Sequence, residues 1–571
     1  MNRLLRDLSK VAKRAKLSIA LSYLGLSSIA VLVTLPALGA QRVFVTFGPL
    51  EISVPISSLE LFVKTGVVDD RWDGFTQYAN REQLEQLRQA LQAKADISPV
   101  AISQFLYTPQ GIVLLERLGR VIQTKARQPG FYAIRSALIL AAADPEGLTP
   151  LNVLRKFPTY GIRIDVGRGL EIANQLTELV NKSNRAIAGV IQLANDRARS
   201  TPPINPSQLQ DPERPGSFNW EKISLTVSSN RAGRTFPFDL YLPSGGPTPA
   251  PVIVISHGVG SDRFSFAYLA QHLASYGFVV AVPEHPGSNA QQLQNLAAGL
   301  TSEVAQATEF VDRPIDVKDL LDFLSDLPKS ESKYQGLMDL QQVGVIGQSF
   351  GGYTALTLAG GAINFERLNK DCRQEFNTWN ISLLLQCRAQ GLLQKDYNLS
   401  DSRVKAAIAI NPITSTIMGE ANLSKIQIPV MILASSADTV TPAVLEQIQP
   451  FTWLTNPEKY LVLFNNGSHF STIEESPQSL FRVPTVALGA EPALARRYLR
   501  GLSVAFMENY LLKNLSFRSY LQPSSFKPVS KDGLSLIILR SLTTQELEKL
   551  LTTTSPSILP ASPPIPQPAK P

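Results

Sequence analysis

The sequence predicts an α/β chain, with a mostly parallel sheet covered by helices on both faces and a small, mainly helical domain before it. Three observations predict it. Residues 252–255, 278–282, 343–346, 406–410, 430–433 and 460–464 are apolar runs separated by segments long enough for a helix. A strand apolar at every position, rather than at alternate ones, is covered on both faces. Before residue 200 the apolar residues recur at helical spacing instead. At 571 residues the chain also exceeds what one core encloses.

The first 40 residues carry Arg3, Arg6, Lys10, Lys13, Arg14 and Lys16 against Asp7, then an apolar segment over 17–37, then Gly39 and Ala40. This is the layout of a secretory signal. The apolar segment is also long enough to span a bilayer, so a cleaved signal and a retained anchor both fit. Either way the bulk of the chain is expected outside the cytoplasm, in the periplasm or another extracytoplasmic compartment, with any membrane association running through residues 17–37. The same six basic residues supply most of the net charge of +7. Charge therefore gives no support to a nucleic-acid partner.

Residues 41–200 form the predicted helical domain. Residues 43–54 read as two short strands broken at Gly48-Pro49, and Ser57-Ser58-Leu59-Glu60 has the pattern of a capping box opening a helix that stops near Gly66. Leu84, Leu87 and Leu91 mark one later helix, and Ile134, Leu138 and Ala142 another. The region has no histidine or cysteine and no catalytic grouping. Five prolines between 201 and 216 mark a linker. The domain that follows, 217–520, opens with a hairpin in which Ile223, Leu225 and Val227, then Phe236, Phe238, Leu240 and Leu242, alternate with polar residues. Residues 521–571 are a C-terminal extension, and seven prolines over 555–571 leave its tail too little apolar surface to order itself.

In a parallel sheet reactive groups collect at the carboxyl ends of the strands, and the candidate residues here each follow a strand. Ser349 lies in Gly347-Gln-Ser-Phe-Gly351, just past the run at 343–346. Such a strand-to-helix turn forces the serine into a strained conformation, and Gly347 and Gly351 are expected because a Cβ there would strike neighbouring backbone. Of the four histidines, His272 reads as a mid-helix surface residue, His257 as shaping its loop, and His285 as a residue able to line the site. His469, after the last long run, is the expected base. Asp438 precedes it by 31 residues and is either the carboxylate that orients the imidazole or the cap of a helix at Thr439-Val-Thr-Pro. The order Ser, Asp, His is that of α/β-hydrolases. Backbone N–H groups of Phe350 and of Val259, in His257-Gly-Val-Gly260, are the expected oxyanion donors.

With these residues in view, Ser256-His-Gly-Val-Gly, Leu273-Ala-Ser-Tyr-Gly-Phe-Val-Val, Glu284-His285 and Gly347-Gln-Ser-Phe-Gly-Gly resemble the platelet-activating-factor acetylhydrolase and dienelactone-hydrolase-like branch of the α/β-hydrolases, over about residues 219–515. The resemblance implies hydrolysis of carboxylic esters, including short acyl chains on lipids, with neither a metal nor an organic cofactor. Two departures matter. Acetylhydrolases of this branch carry His where Gln348 stands, and take their acid from the strand that here ends Ile410-Asn411-Pro412, so Asp438 is the acid expected in this chain. Residues 41 to about 165, with Phe47-Gly-Pro-Leu, Leu106-Tyr-Thr and the Ala/Leu-rich helix, are similar to a helical domain of unknown function that precedes hydrolase domains in cyanobacteria.

Cys372 and Cys387 are the only cysteines, both within an insertion at about 361–402. In an exported chain two close cysteines pair more often than they stay free, and the region lacks the further ligands a metal would need. The insertion, with Ile381-Ser-Leu-Leu-Leu385, is either an apolar cap over the pocket or a packed surface helix. The expected function is a serine esterase acting on small or lipid-like esters through an acyl-enzyme. A thioesterase or peptidase using the same triad, and an inactive binding or scaffold protein of the cell envelope, are the alternatives.

Overall fold

The structure, a computed structural model, describes residues 39–70, 80–199, 210–229, 231, 233–373, 379–476, 483, 485–523 and 533–552. The expected N-terminal signal apart from Gly39 and Ala40, most of the proline-rich linker and the proline-rich tail lie outside the described residues. The chain divides into two compact units, one of residues 1–107 and 111–172, the other of 108–110 and 173–571.

The smaller unit is built on a four-stranded sheet of order β2-β1-β4-β3, from β1 (Arg42–Phe47), β2 (Leu50–Pro55), β3 (Ile122–Thr124) and β4 (Gly161–Asp165). Val43, Val54, Phe62, Ile134, Ala137 and Ile162 form its apolar core with helix Ile56–Thr65 and helix Phe131–Ala143. The expectation of a mainly helical domain missed β3 and β4, which at three and five residues are too short to display a period of two. The capping box also fails. The helix starts at Ile56 behind Pro55 with no side-chain cap, Ser58 is buried, and Glu60 pairs with Arg155 at 3.1 Å. Its end is as read, with Gly66 at φ 74°, a conformation glycine adopts without penalty.

In the larger unit nine strands line up as β13-β12-β11-β10-β9-β7-β8-β6-β5. They are β5 (Asn219–Ser228), β6 (Thr235–Ser244), β7 (Ala250–Ser256), β8 (Val279–Pro283), β9 (Met338–Gln348), β10 (Val404–Ile410), β11 (Val430–Ser435), β12 (Lys459–Asn465) and β13 (Ser535–Leu539). The six apolar runs form the six central strands, β8-β7-β9-β10-β11-β12, and these pair in parallel. The hairpin β5-β6 and strand β13 add antiparallel edges. Why the runs are continuous is visible in β7. Ile253 and Ile255 enter the core shared with helix Ala267–Ala274 and helix Pro492–Tyr510, while Val252 and Val254 enter the core on the other face with helix Glu309–Ser330. From β7 the chain steps to β8 on one side and then crosses to β9 on the other. The loops leaving β7 and β9 therefore diverge and open a crevice at their carboxyl ends.

Both predicted edges of the larger unit shift. Residues 173–199 of helix Val166–Arg199, assigned from sequence to the N-terminal domain, belong to it. Ala186, Ile187, Val190 and Ala194 share its core with Leu547 of helix Thr544–Thr552, and Arg197 pairs with Glu546 at 3.1 Å. At the other end, residues 535–539 complete the sheet and so are no extension; Leu536 and Ile538 fill one core while Ile537 and Leu539 fill the opposite one.

Candidate active site

Ser349 sits at the crevice between β9 and helix Phe350–Leu358 with φ 56° and ψ −115°. That conformation is sterically costly for a residue with a Cβ and persists only where the surroundings enforce it. They do so by close packing. A Cβ on Gly347 would lie 1.9 Å from the Gly351 carbonyl oxygen, and one on Gly351 2.0 Å from that of Ser256. The Ser349 N–H donates to the Ile410 carbonyl at 2.8 Å, locking the turn to β10.

His469, on the loop after β12, meets Asp438, on the loop after β11. Nδ1 lies 2.7 Å from Asp438 Oδ2. A carboxylate cannot donate, so Nδ1 carries the proton and Nε2 presents a lone pair. Asp438 pairs with the imidazole but caps no helix, since the next helical segment begins at Val444 behind Ala443 and the carboxylate instead closes a turn. Its Oδ2 also accepts from Thr441 Oγ1 at 2.8 Å, while Oδ1 accepts from the N–H groups of Val440 and Thr441 at 2.8 and 2.7 Å. Asn411 is buried beneath the site, and its carbonyl accepts from Thr441 Oγ1 at 3.2 Å. His469 Nε2 faces the Gln348 amide nitrogen at 3.3 Å, and that nitrogen also donates to the His469 carbonyl at 3.2 Å. Among the described residues Ser349 Oγ makes no hydrogen bond.

Ser349, His469, Gln348 and Val259 line one cavity of about 720 Å³. A Cβ on Gly258 would come within 3.3 Å of Ser349 Cβ, so the loop after β7 lies against Ser349. Neither the Val259 nor the Phe350 N–H has an acceptor among the described residues. Two unclaimed donors beside a strained serine is the arrangement an oxyanion requires. The remaining wall is mixed, with Leu293, Phe470, Ile473 and Leu488 beside Asp262, Glu474 and Arg496. Among the described residues no group of histidine, cysteine and acidic side chains could hold a metal.

The insertion at 361–402 contributes no described residue to this cavity, against its reading as a cap. Cys372 and Cys387 are joined by a disulfide across a separation of 15 residues, and both face the unit's core with Leu368, Leu383 and Ala389. The buried Glu446 carboxylate ties the segment down, accepting from Gln386 at 2.9 Å, from the N–H groups of Thr414 and Ser415 at 2.7 and 3.0 Å, and from Asn380 Nδ2. The wall near His469 comes instead from Phe470, Ile473, Glu474, Val483 and Leu488, which the sequence does not mark as special.

The other histidines are all buried. His272 is no surface residue; it is 4% exposed and bonded to the Pro212 carbonyl at 2.8 Å. His285 does not line the cavity. Its Nδ1 lies 2.9 Å from Asp316 Oδ2, its Nε2 accepts from Ser256 Oγ at 2.9 Å, and its N–H donates to His257 Nε2 at 3.0 Å. His257 in turn donates from Nδ1 to the Gly258 carbonyl at 2.7 Å. Burial, reinforced by Arg313, holds both rings well below the usual histidine range, so they are neutral. Sequence reading also missed Arg313, the largest fully buried side chain among the described residues. Its only signal was an acid- and base-laced helix, Glu309-Phe-Val-Asp-Arg-Pro-Ile-Asp316, of a kind that usually faces solvent.

Comparison with known proteins agrees with this architecture. Residues 39–165 match the family described as alpha/beta hydrolase of unknown function (DUF1400), although that match falls on the smaller unit and not on the nine-stranded sheet. Residues 242–311 match platelet-activating factor acetylhydrolase, isoform II, a span that includes β7, β8 and the Val259 loop. The platelet-activating factor acetylhydrolase of Cavia porcellus is 28% identical over 138 residues, covering 19% of this chain and 31% of that protein. The chain thus spans about a third of that relative's length. Sheet order and the crevice between the loops of β7 and β9 give the chain an α/β-hydrolase fold, and over these partial spans it resembles the platelet-activating-factor acetylhydrolase type.

Proposed function

We propose that the chain is a serine hydrolase of carboxylic esters that works through an acyl-enzyme on Ser349. One observation carries the reading: a strained serine, the histidine paired with Asp438 and the Val259 loop line one cavity, with the unclaimed N–H groups of Val259 and Phe350 beside that serine. The Gln348 amide turns away from His469 Nε2, and Ser349 Oγ takes its place. Oγ attacks the carbonyl carbon as Nε2 accepts its proton, and the oxyanion is held by Val259 and Phe350. The imidazolium, stabilised by Asp438, then protonates the departing alcohol. Water repeats the sequence and releases the acid.

The relative's name describes removal of an acetyl group from platelet-activating factor. A cavity of about 720 Å³ with both apolar and charged walls supports small to medium acyl esters, lipid-like ones included. The Cys372–Cys387 disulfide supports an extracytoplasmic site of action. A second reading, an inactive binding protein, draws on the Gln348 contact that occupies the base. Turnover of p-nitrophenyl esters of graded chain length, with thioester and anilide analogues alongside, separates these readings. Ester turnover that vanishes in Ser349→Ala is the expected result, and turnover unaffected by that change would end the proposal.

A further inference from the structure

The oxyanion loop is held from behind by charge that the proposed mechanism leaves unused. Arg313 is fully buried, and its guanidinium donates from Nη1 to the His257 carbonyl at 2.6 Å, from Nη2 to the Gly258 carbonyl at 3.3 Å, and from Nε to Ser288 Oγ at 2.8 Å. Ser288 grips the same loop by accepting the Gly260 N–H at 2.8 Å on its carbonyl. The guanidinium also lies 4.6 Å from the centre of the Phe350 ring. One side chain therefore touches both residues expected to supply the oxyanion donors or their peptide partners.

The Gly258 carbonyl and the Val259 N–H belong to a single peptide unit, and in a trans peptide they point in opposite directions. Donors that fix the carbonyl toward the interior thus aim the N–H outward, at the cavity. Two such donors converge on it, Arg313 Nη2 and His257 Nδ1. Each also draws electron density toward the oxygen and strengthens the N–H as a donor. Lysine could not reproduce this, since the contacts to two carbonyls and a hydroxyl need the planar fork of arginine. The surrounding charge is arranged to keep the cation inside. Glu309 stands 3.9 Å from Nε, while Arg231 and Arg234 take up Asp312 and Asp316 on the outer side.

We propose that Arg313 is the positioning residue of the oxyanion hole, setting the direction and donor strength of the Val259 N–H through the Gly258 carbonyl. This rests on the esterase reading of Ser349. The test compares wild type, Arg313→Lys and the milder Ser288→Ala, which frees the guanidinium's Nε, on p-nitrophenyl butyrate and its thionoester. Sulfur is a weak acceptor, so a misaimed N–H penalises the oxoester more. Arg313→Lys is expected to lower oxoester kcat about 10- to 100-fold, with KM within about threefold and a reduced ratio of oxoester to thionoester rates. Ser288→Ala shifts the ratio the same way by about twofold or more, and decides the matter should Arg313→Lys not fold. A folded variant with a wild-type ratio, its loss confined to melting temperature, would overturn this inference while leaving the esterase reading intact. A wild-type enzyme without ester turnover would remove both.

Discussion

The larger unit contains two chains of serine, histidine and aspartate, and they differ in an instructive way. In Ser256–His285–Asp316 both links are 2.9 Å, all three side chains are 0% exposed, and the carboxylate is shared with Arg231 and Arg234 at 2.5 and 2.6 Å. In Ser349–His469–Asp438 only the histidine–aspartate link is made, at 2.7 Å, the serine hydroxyl has no partner among the described residues, and the group opens on a cavity. By hydrogen-bond geometry alone the first is the better triad. Yet Ser256 ends a regular strand with no substrate access, whereas Ser349 is held in a strained turn beside two free N–H donors. Complete satisfaction marks a structural network, and the unsatisfied, strained group marks the place where a reacting molecule completes the set.

The sharpest way to break this comparison is to delete each serine. Ser349→Ala is expected to reduce ester kcat by about 10⁴-fold or more without altering the melting curve. Ser256→Ala should act on stability, losing about 1–3 kcal/mol in urea unfolding because His285 Nε2 is left buried and unpaired. The aspartates should divide in the same manner. Asp438→Asn is expected to cost about 10³- to 10⁴-fold in kcat by upsetting the His469 tautomer. Asp316→Asn should instead cost about 3 kcal/mol of stability, read by urea midpoint, since it strips a buried partner from two arginines.

Protonation gives a third contrast. Burial depresses His257 and His285 well below the usual range and His272 to about 4, so the folded chain refuses protons that the unfolded chain binds below about pH 6.5. Stability is therefore whole above that pH and falls as pH drops from there toward the folded-state values. The slope is about 1.4 kcal/mol per pH unit for each histidine. Urea midpoints at pH 7, 6 and 5 should decline progressively, and a flat profile would contradict the neutral buried network. The smallest effect is expected at Gln348. Removing its amide in Gln348→Ala frees His469 Nε2 and should speed acylation of Ser349 about fivefold, the factor that about 1 kcal/mol of hydrogen bonding commands.

How much of this was legible in the sequence follows from physical range. Six continuous apolar runs announced six doubly covered strands, because burial on both faces is written locally. The glycines around Ser349 were legible for the same reason: their need arises from backbone a few residues away. What escaped depends on distant partners. Strands of three to five residues carry no period, and the apolar run at 535–539 reads as sheet only once β12 is beside it. The insertion's leucines announced apolar packing without saying against what, and the structure turns them to the core. Arg313 looked like a solvated charge, since nothing near it in sequence states that two loop carbonyls and a phenyl face await it.

The central claim is that residue 349 alone among the serines is activated. Treating the intact chain with a fluorophosphonate and mapping the adduct by peptide mass spectrometry tests it most directly. The account predicts a single phosphonylated peptide carrying Ser349, lost in Ser349→Ala and in His469→Ala. An adduct on Ser256, or no adduct on a folded chain, would contradict it.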